Sequence, residues 1–118
     1  MAACVARPAS VARPAIRFGV IADVQYCDIT NGWNFTRTKE RCYRAALNAL
    51  RQAVPVWNEA SVDFIIQLGD IIDGQCKGRG ETESAWDACQ QLFSGCSCEI
   101  YHCIGNHELY AERTLSEL

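Results

Sequence analysis

The chain has 118 residues, 49% of them hydrophobic and 21% charged, and a formal net charge of −3. That length fits one domain or part of one and permits a real core. With no basic block and no apolar run near the ~20 residues of a membrane helix, neither nucleic acid nor a membrane is expected as a partner, and an anionic substrate needs local cations.

Residues 1–15, MAACVARPASVARPA, carry Arg7 and Arg13 and no acid. They read as a disordered tail, with a weak organellar presequence as the alternative. The continuous apolar core of a secretory signal is missing, so a cytoplasmic location is expected. Residues 16–22, IRFGVIA, read as a first strand that ends at Asp23-Val24-Gln25. Residues 26–37 hold polar and turn residues and read as a loop. Its aromatics, Tyr26, Trp33 and Phe35, either pack beneath the loop or line a pocket.

Residues 38–60 read as a helix, because Tyr43, Ala46, Leu47, Leu50, Val54 and Trp57 recur at helical spacing. Pro55 removes a backbone donor and predicts a kink, or an end near Val54. Residues 62–68, VDFIIQL, are apolar and β-branched, and Gly69 stops them. That pattern predicts a strand buried on both faces, at the centre of a parallel sheet. Asp70 and Asp73-Gly74 follow it, where a turn is the plain reading. Residues 74–81 read as a polar loop with Lys77 and Arg79. Residues 82–94 read as a second helix, with Trp86, Cys89, Leu92 and Phe93 on one face and Gly95 as its C-terminal cap. Residues 99–104, EIYHCI, read as a third strand running into Gly105-Asn106-His107-Glu108. The residues after that are too few for another β-α unit. The fold class is α/β, in the order β-α-β-α-β, with a mainly parallel sheet joined by right-handed crossovers.

Eight cysteines are many for this length. Without a secretory context they read as reduced and structural. A disulfide framework and a zinc site using Cys89, Cys96, Cys98 and Cys103 are the alternatives.

Each predicted strand ends in a polar cluster: Asp23-x-Gln25, Gly69-Asp70-x-x-Asp73, and Gly105-Asn106-His107-Glu108. Parallel strands bring such clusters to one sheet edge, where open α/β sheets bind ligands. Asp23, Gln25, Asp70 and Asn106 offer oxygen donors, which suit Mn²⁺ or Mg²⁺. The glycines before Asp70 and Asn106 allow tight turns. Two metal ions roughly 3.5–4 Å apart can share a bridging carboxylate, and Asp70 is the central candidate. His107 is then free for proton donation or for holding a phosphate oxygen, with Glu108 orienting it. Asp73 serves the loop or supports the ligands from behind.

These three motifs, in this order, resemble those of the calcineurin-like metallophosphoesterases over residues 16–110. Within that superfamily the chain is most similar to the manganese-dependent ADP-ribose/CDP-alcohol diphosphatases. The likeness rests on FGVIADVQY from Phe18, LGDIIDG from Leu68 and GNHELY from Gly105. Gln25 discriminates, since most of the superfamily has histidine there; an amide oxygen hardens the site toward Mn²⁺. The resemblance implies an αββα sandwich and a dinuclear metal centre. It implies Asp23, Gln25 and Asp70 as ligands of one ion, Asp70 and Asn106 of the other, and His107 as the catalytic histidine. It implies a small nucleotide diphosphate substrate of the ADP-ribose or CDP-alcohol type, and it names no oligomeric state.

The family completes its centre with further histidines, including a Gly-His-x-His motif. This chain has only His102 and His107, and His102 lies in a predicted strand. The chain is therefore expected to be the N-terminal half of such a sandwich, with residues 111–118 a truncated C-terminus. The function expected is diphosphate hydrolysis impaired by truncation. The alternative is a non-catalytic isoform or fragment with a residual metal-binding site.

Overall fold

The computed structural model describes residues 15–110. The tail assigned to residues 1–15, apart from Ala15, and the segment 111–118 lie outside the described residues. The elements in order are β1 (Phe18–Ile21), β2 (Gly32–Trp33), β3 (Glu40–Arg41), α1 (Tyr43–Ala60), β4 (Phe64–Gln67), α2 (Gln75–Arg79), α3 (Thr82–Phe93), β5 (Glu99–His102) and α4 (Asn106–Tyr110). Strands β1, β4 and β5 form a parallel sheet in the order β1-β4-β5, so the chain is α/β with the second apolar run at the centre. The register sets Phe18 beside Phe64 and Phe64 beside Glu99.

Successive strand residues point to opposite faces, and the two faces of this sheet differ. Gly19, Ile21, Ile65, Ile100 and His102 share the face that α1 and α3 cover. Gly19 is buried because α1 crosses β1 there: a Cβ on it would lie 2.8 Å from the Trp57 indole nitrogen. Leu50 and Val54 of α1 join Trp86, Cys89 and Phe93 of α3 in the core. The other face carries Phe18, Val20, Phe64, Ile66 and Tyr101. The Phe18 and Phe64 rings stack at 5.5 Å, and Tyr101 meets Phe64 edge-on at 5.9 Å. Strand β4 thus alternates, with Ile65 and Gln67 buried and Phe64 and Ile66 half-buried. The expectation of burial on both faces fails, because α1 and α3 lie on the same side.

Four local expectations are also corrected. The first helix starts at Tyr43, not residue 38, and residues 32–41 form the β2–β3 hairpin. Asn34 explains this: its side-chain oxygen accepts the Thr38 and Lys39 amides at 2.8 and 3.1 Å. Local side-chain bonds of this kind compete with a helix. Pro55 does not end α1, which continues to Ala60. The carbonyl that proline leaves without a helical donor belongs to Arg51, an exposed residue. The loop expected over 74–81 holds the short helix α2, whose first amides are met by Asp73: its carboxylate accepts Gln75 N at 2.9 Å. Gly95 is not a left-handed cap; α3 ends on Ser94 in right-handed conformation. Among the described residues no helix is long and apolar enough to cross a membrane.

His102 faces α3, its ring edge-on to Phe93 at 5.4 Å. Its Nδ1 and the Oε1 of its strand neighbour Gln67 are buried without a hydrogen-bond partner among the described residues. Burial lowers the His102 pKa below its ordinary 6.5, so folding favours the neutral ring. As pH falls the unfolded chain takes up this proton first. The His102 contribution is therefore whole above pH 6.5 and is lost as pH drops through the folded value. Urea unfolding at about pH 7.5 and about pH 5.5 is expected to show a loss of stability at the lower pH that His102→Leu removes. An equal loss in the variant would contradict this.

Candidate metal centre

The parallel order sets the C-terminal ends of β1, β4 and β5 along one edge, and there the backbone turns unusually. Among the described residues the non-glycine positions with positive φ are Asp23 (53°), Gln25 (46°), Arg37 (55°), Ser61 (49°) and Asp70 (57°). Ser61 caps α1 and Arg37 closes the hairpin turn. The other three are among the four oxygen-donor residues singled out by sequence; the fourth, Asn106, does not have positive φ. A left-handed residue costs roughly 1–2 kcal/mol, less for aspartate, so three along one edge point to function.

Backbone bonds between loops hold that conformation. Asp23 N donates to Gly69 O at 3.3 Å, Gln25 N to Asp70 O at 2.9 Å, and Asp73 N to Tyr26 O at 2.9 Å. Gly69, at φ 92°, meets the third loop backbone to backbone, since a Cβ on it would lie 2.5 Å from Gly105 N. Gly105 does not have positive φ. It is needed for space, because a Cβ there would overlap the Asp70 carboxylate.

Glu108 is fully buried. Its Oε2 accepts Asp70 N at 2.7 Å and Gly105 N at 2.8 Å, and its Oε1 accepts Ile71 N at 2.5 Å. Its partners are these amides rather than the His107 imidazole that the sequence reading gave it. His107 N donates to Asp70 Oδ1 at 2.9 Å. The same side chain's Nδ1 accepts Gly74 N at 3.0 Å and lies 3.5 Å from Asp73 Oδ2. A backbone amide can only donate, so in the neutral ring Nδ1 is the acceptor and the proton sits on Nε2. Asp73 is buried and also lies 3.2 Å from Arg41 Nη1.

Asp23 and Gln25 are joined by a bond from Gln25 Nε2 to Asp23 Oδ1 at 3.1 Å. They line a cavity of about 210 Å³ together with Arg41 and Tyr43. Asn106 is exposed at the start of α4, beside the residue whose amide binds Asp70. Arg41 was not expected at the site: its only sequence signal was a charge in a stretch read as helix, and the hairpin brings it in.

Carboxylate and amide oxygens on a preformed, strained edge fit a hard divalent cation such as Mn²⁺ or Mg²⁺. Among the described residues no three His, Cys, Asp or Glu side chains are placed to hold a metal ion together. The candidate set holds only two such residues, Asp23 and Asp70, its other donors being amides. The same finding leaves the cysteine zinc site without a cluster among the described residues. Burial pushes the thiols of Cys27 and Cys76 up, and that of Cys89 up to about 12, as expected of protonated core cysteines.

Comparison with known proteins shows the family of the chain. The calcineurin-like phosphoesterase family model matches residues 16–117. The manganese-dependent ADP-ribose/CDP-alcohol diphosphatase of Danio rerio is 44% identical over 97 residues, covering 82% of this chain and 30% of that protein. The protein of the same description from Mus musculus is 39% identical over 105 residues, 87% of this chain and 31% of that protein. The crystal structure of a dimetal phosphatase from Danio rerio superposes with a TM-score of 0.81 at 44% identity, over 83% of this chain and 31% of that one. The chain thus spans about 30% of the length of these relatives. With its parallel sheet, its three motifs on one edge and a family match over most of its length, the chain belongs to the calcineurin-like phosphoesterase family.

Proposed function

We propose that this chain carries part of a manganese-dependent phosphohydrolase centre, in the lineage that cleaves the diphosphate of nucleotides linked to a sugar or alcohol. The observation that carries this reading is the trio Asp23, Gln25 and Asp70, each in left-handed conformation at the end of two adjacent parallel strands. Asp23, Gln25, Asp70 and Asn106 would hold the metal, with Asp70 central. Mn²⁺, when bound, neutralises charge on a phosphoryl group and makes water acidic enough to supply a nucleophile near neutral pH.

The protein's own contribution is positional. Glu108 fixes the amides around Asp70. The Gly74 amide, donating to Nδ1, fixes the His107 ring from that side. His107 then presents a proton on Nε2, suited to a departing alkoxide or phosphate oxygen. Arg41 balances the charge of buried Asp73.

A dinuclear centre needs more donors than these side chains supply. With Mn²⁺, the 118-residue chain is expected to hydrolyse ADP-ribose far more slowly than a relative of full length. Residual turnover is expected to disappear on chelation. A rate within about tenfold of a full-length relative would contradict the view that the donor set limits this chain. A second reading, a non-catalytic product with a residual metal site, is favoured by the same shortage of donors; Mn²⁺ uptake without any turnover is its signature.

A further inference from the structure

We infer that Arg41 docks the second phosphoryl group of a diphosphate, the one not attacked, and so selects diphosphates over monophosphates. The inference rests on the proposed metal centre and deepens it. Among the described residues Arg41 is the one cation lining the cavity beside Asp23 and Gln25. The site is otherwise rich in carboxylates on a chain of net charge −3, so an anion entering there needs this cation.

The volume fits a fragment. Whole small-molecule sites measure about 300–1,000 Å³, whereas this cavity measures about 210 Å³. It takes a phosphoryl group rather than a nucleotide. A neighbouring cavity of about 360 Å³, which shares Tyr43 with the first, offers polar groups from Thr30, Asn31 and Gln75 for the rest of such a ligand.

Arg41 is also held where a docking group is wanted. Its Nη1 contact with buried Asp73, at 3.2 Å, fixes the guanidinium, while the side chain stays 37% exposed. A planar guanidinium with donors left over matches phosphate oxygens in a way a lysine cannot. Asp73 also neighbours His107 at 3.5 Å. The Arg41 anchor and the His107 ring therefore lie on either side of one buried carboxylate.

Calorimetric titration of the 118-residue chain with Mn²⁺, then ADP, then AMP tests this. Arg41→Gln is expected to weaken ADP binding at least about tenfold, to leave AMP binding close to wild type and to leave Mn²⁺ affinity close to wild type. Arg41→Lys, which keeps a charge beside Asp73, is expected to show the same selective loss in smaller degree. Equal loss for ADP and AMP marks a purely structural Arg41 and overturns the inference, as does an unchanged ADP affinity. A wild-type chain that takes up Mn²⁺ but shows no preference for ADP overturns it too, leaving the metal centre standing. A wild-type chain that takes up no Mn²⁺ overturns the metal centre and this inference with it.

Discussion

Asp70→Asn is expected to weaken Mn²⁺ binding at least about 100-fold, beyond the 10–100-fold typical of losing an outer partner of a metal ligand. Asparagine keeps the features that shape the loop. It tolerates the left-handed backbone that Asp70 adopts at φ 57°, and it still offers an oxygen to the His107 amide, now accepted by Asp70 Oδ1 at 2.9 Å. What it removes is the negative charge at the centre of the donor set. Asp70→Ala is a worse test, because it adds backbone strain and abandons the His107 amide. A calorimetric titration with Asp70→Asn folded, and Mn²⁺ affinity within a few-fold of wild type, would show that the carboxylate is not a ligand.

The second large effect concerns stability. Glu108→Ala is expected to destabilise the fold by about 3 kcal/mol or more, since a buried donor left unpaired costs roughly 1–3 kcal/mol and this carboxylate serves Asp70, Ile71 and Gly105. Typical domains have only about 5–15 kcal/mol in hand, so the variant is expected to unfold at much lower urea. Glu108→Gln is expected to fall between, because its amide nitrogen turns a donor toward a backbone donor. Equilibrium urea unfolding of wild type and both variants measures this. A loss below about 1 kcal/mol for the alanine variant would mean that water replaces the carboxylate at no great penalty.

Much of the sheet was legible in the chain. The three apolar runs and the helices between them leave few alternatives to a parallel β-α-β-α-β order, because short runs of β-branched residues pair and crossovers are right-handed. Ligand candidates were legible for the same reason: polar clusters after parallel strands meet at one edge. The hairpin was not legible. Its strands are only Gly32–Trp33 and Glu40–Arg41, too short to give a period, and Asn34 creates it through side-chain bonds that no pattern announces. Missing the hairpin meant missing Arg41 beside Asp73. The role of Glu108 was illegible too, since the sequence places it next to His107 while the fold turns it toward Asp70 and Ile71. The one-sided burial of β4 depends on both helices lying on the same face, which alternation in a run as apolar as FIIQ does not specify.

The central claim is that three strand-end clusters form one Mn²⁺ centre. Paramagnetic broadening of amide signals in ¹H–¹⁵N spectra, recorded on the 118-residue chain during a Mn²⁺ titration, tests it most directly. The signals of Asp23, Gln25, Asp70, Asn106 and His107 are expected to vanish first and together, with those of Cys96, Cys98 and α3 persisting. Broadening that begins elsewhere, or that reaches only one of the three clusters, would contradict a shared centre.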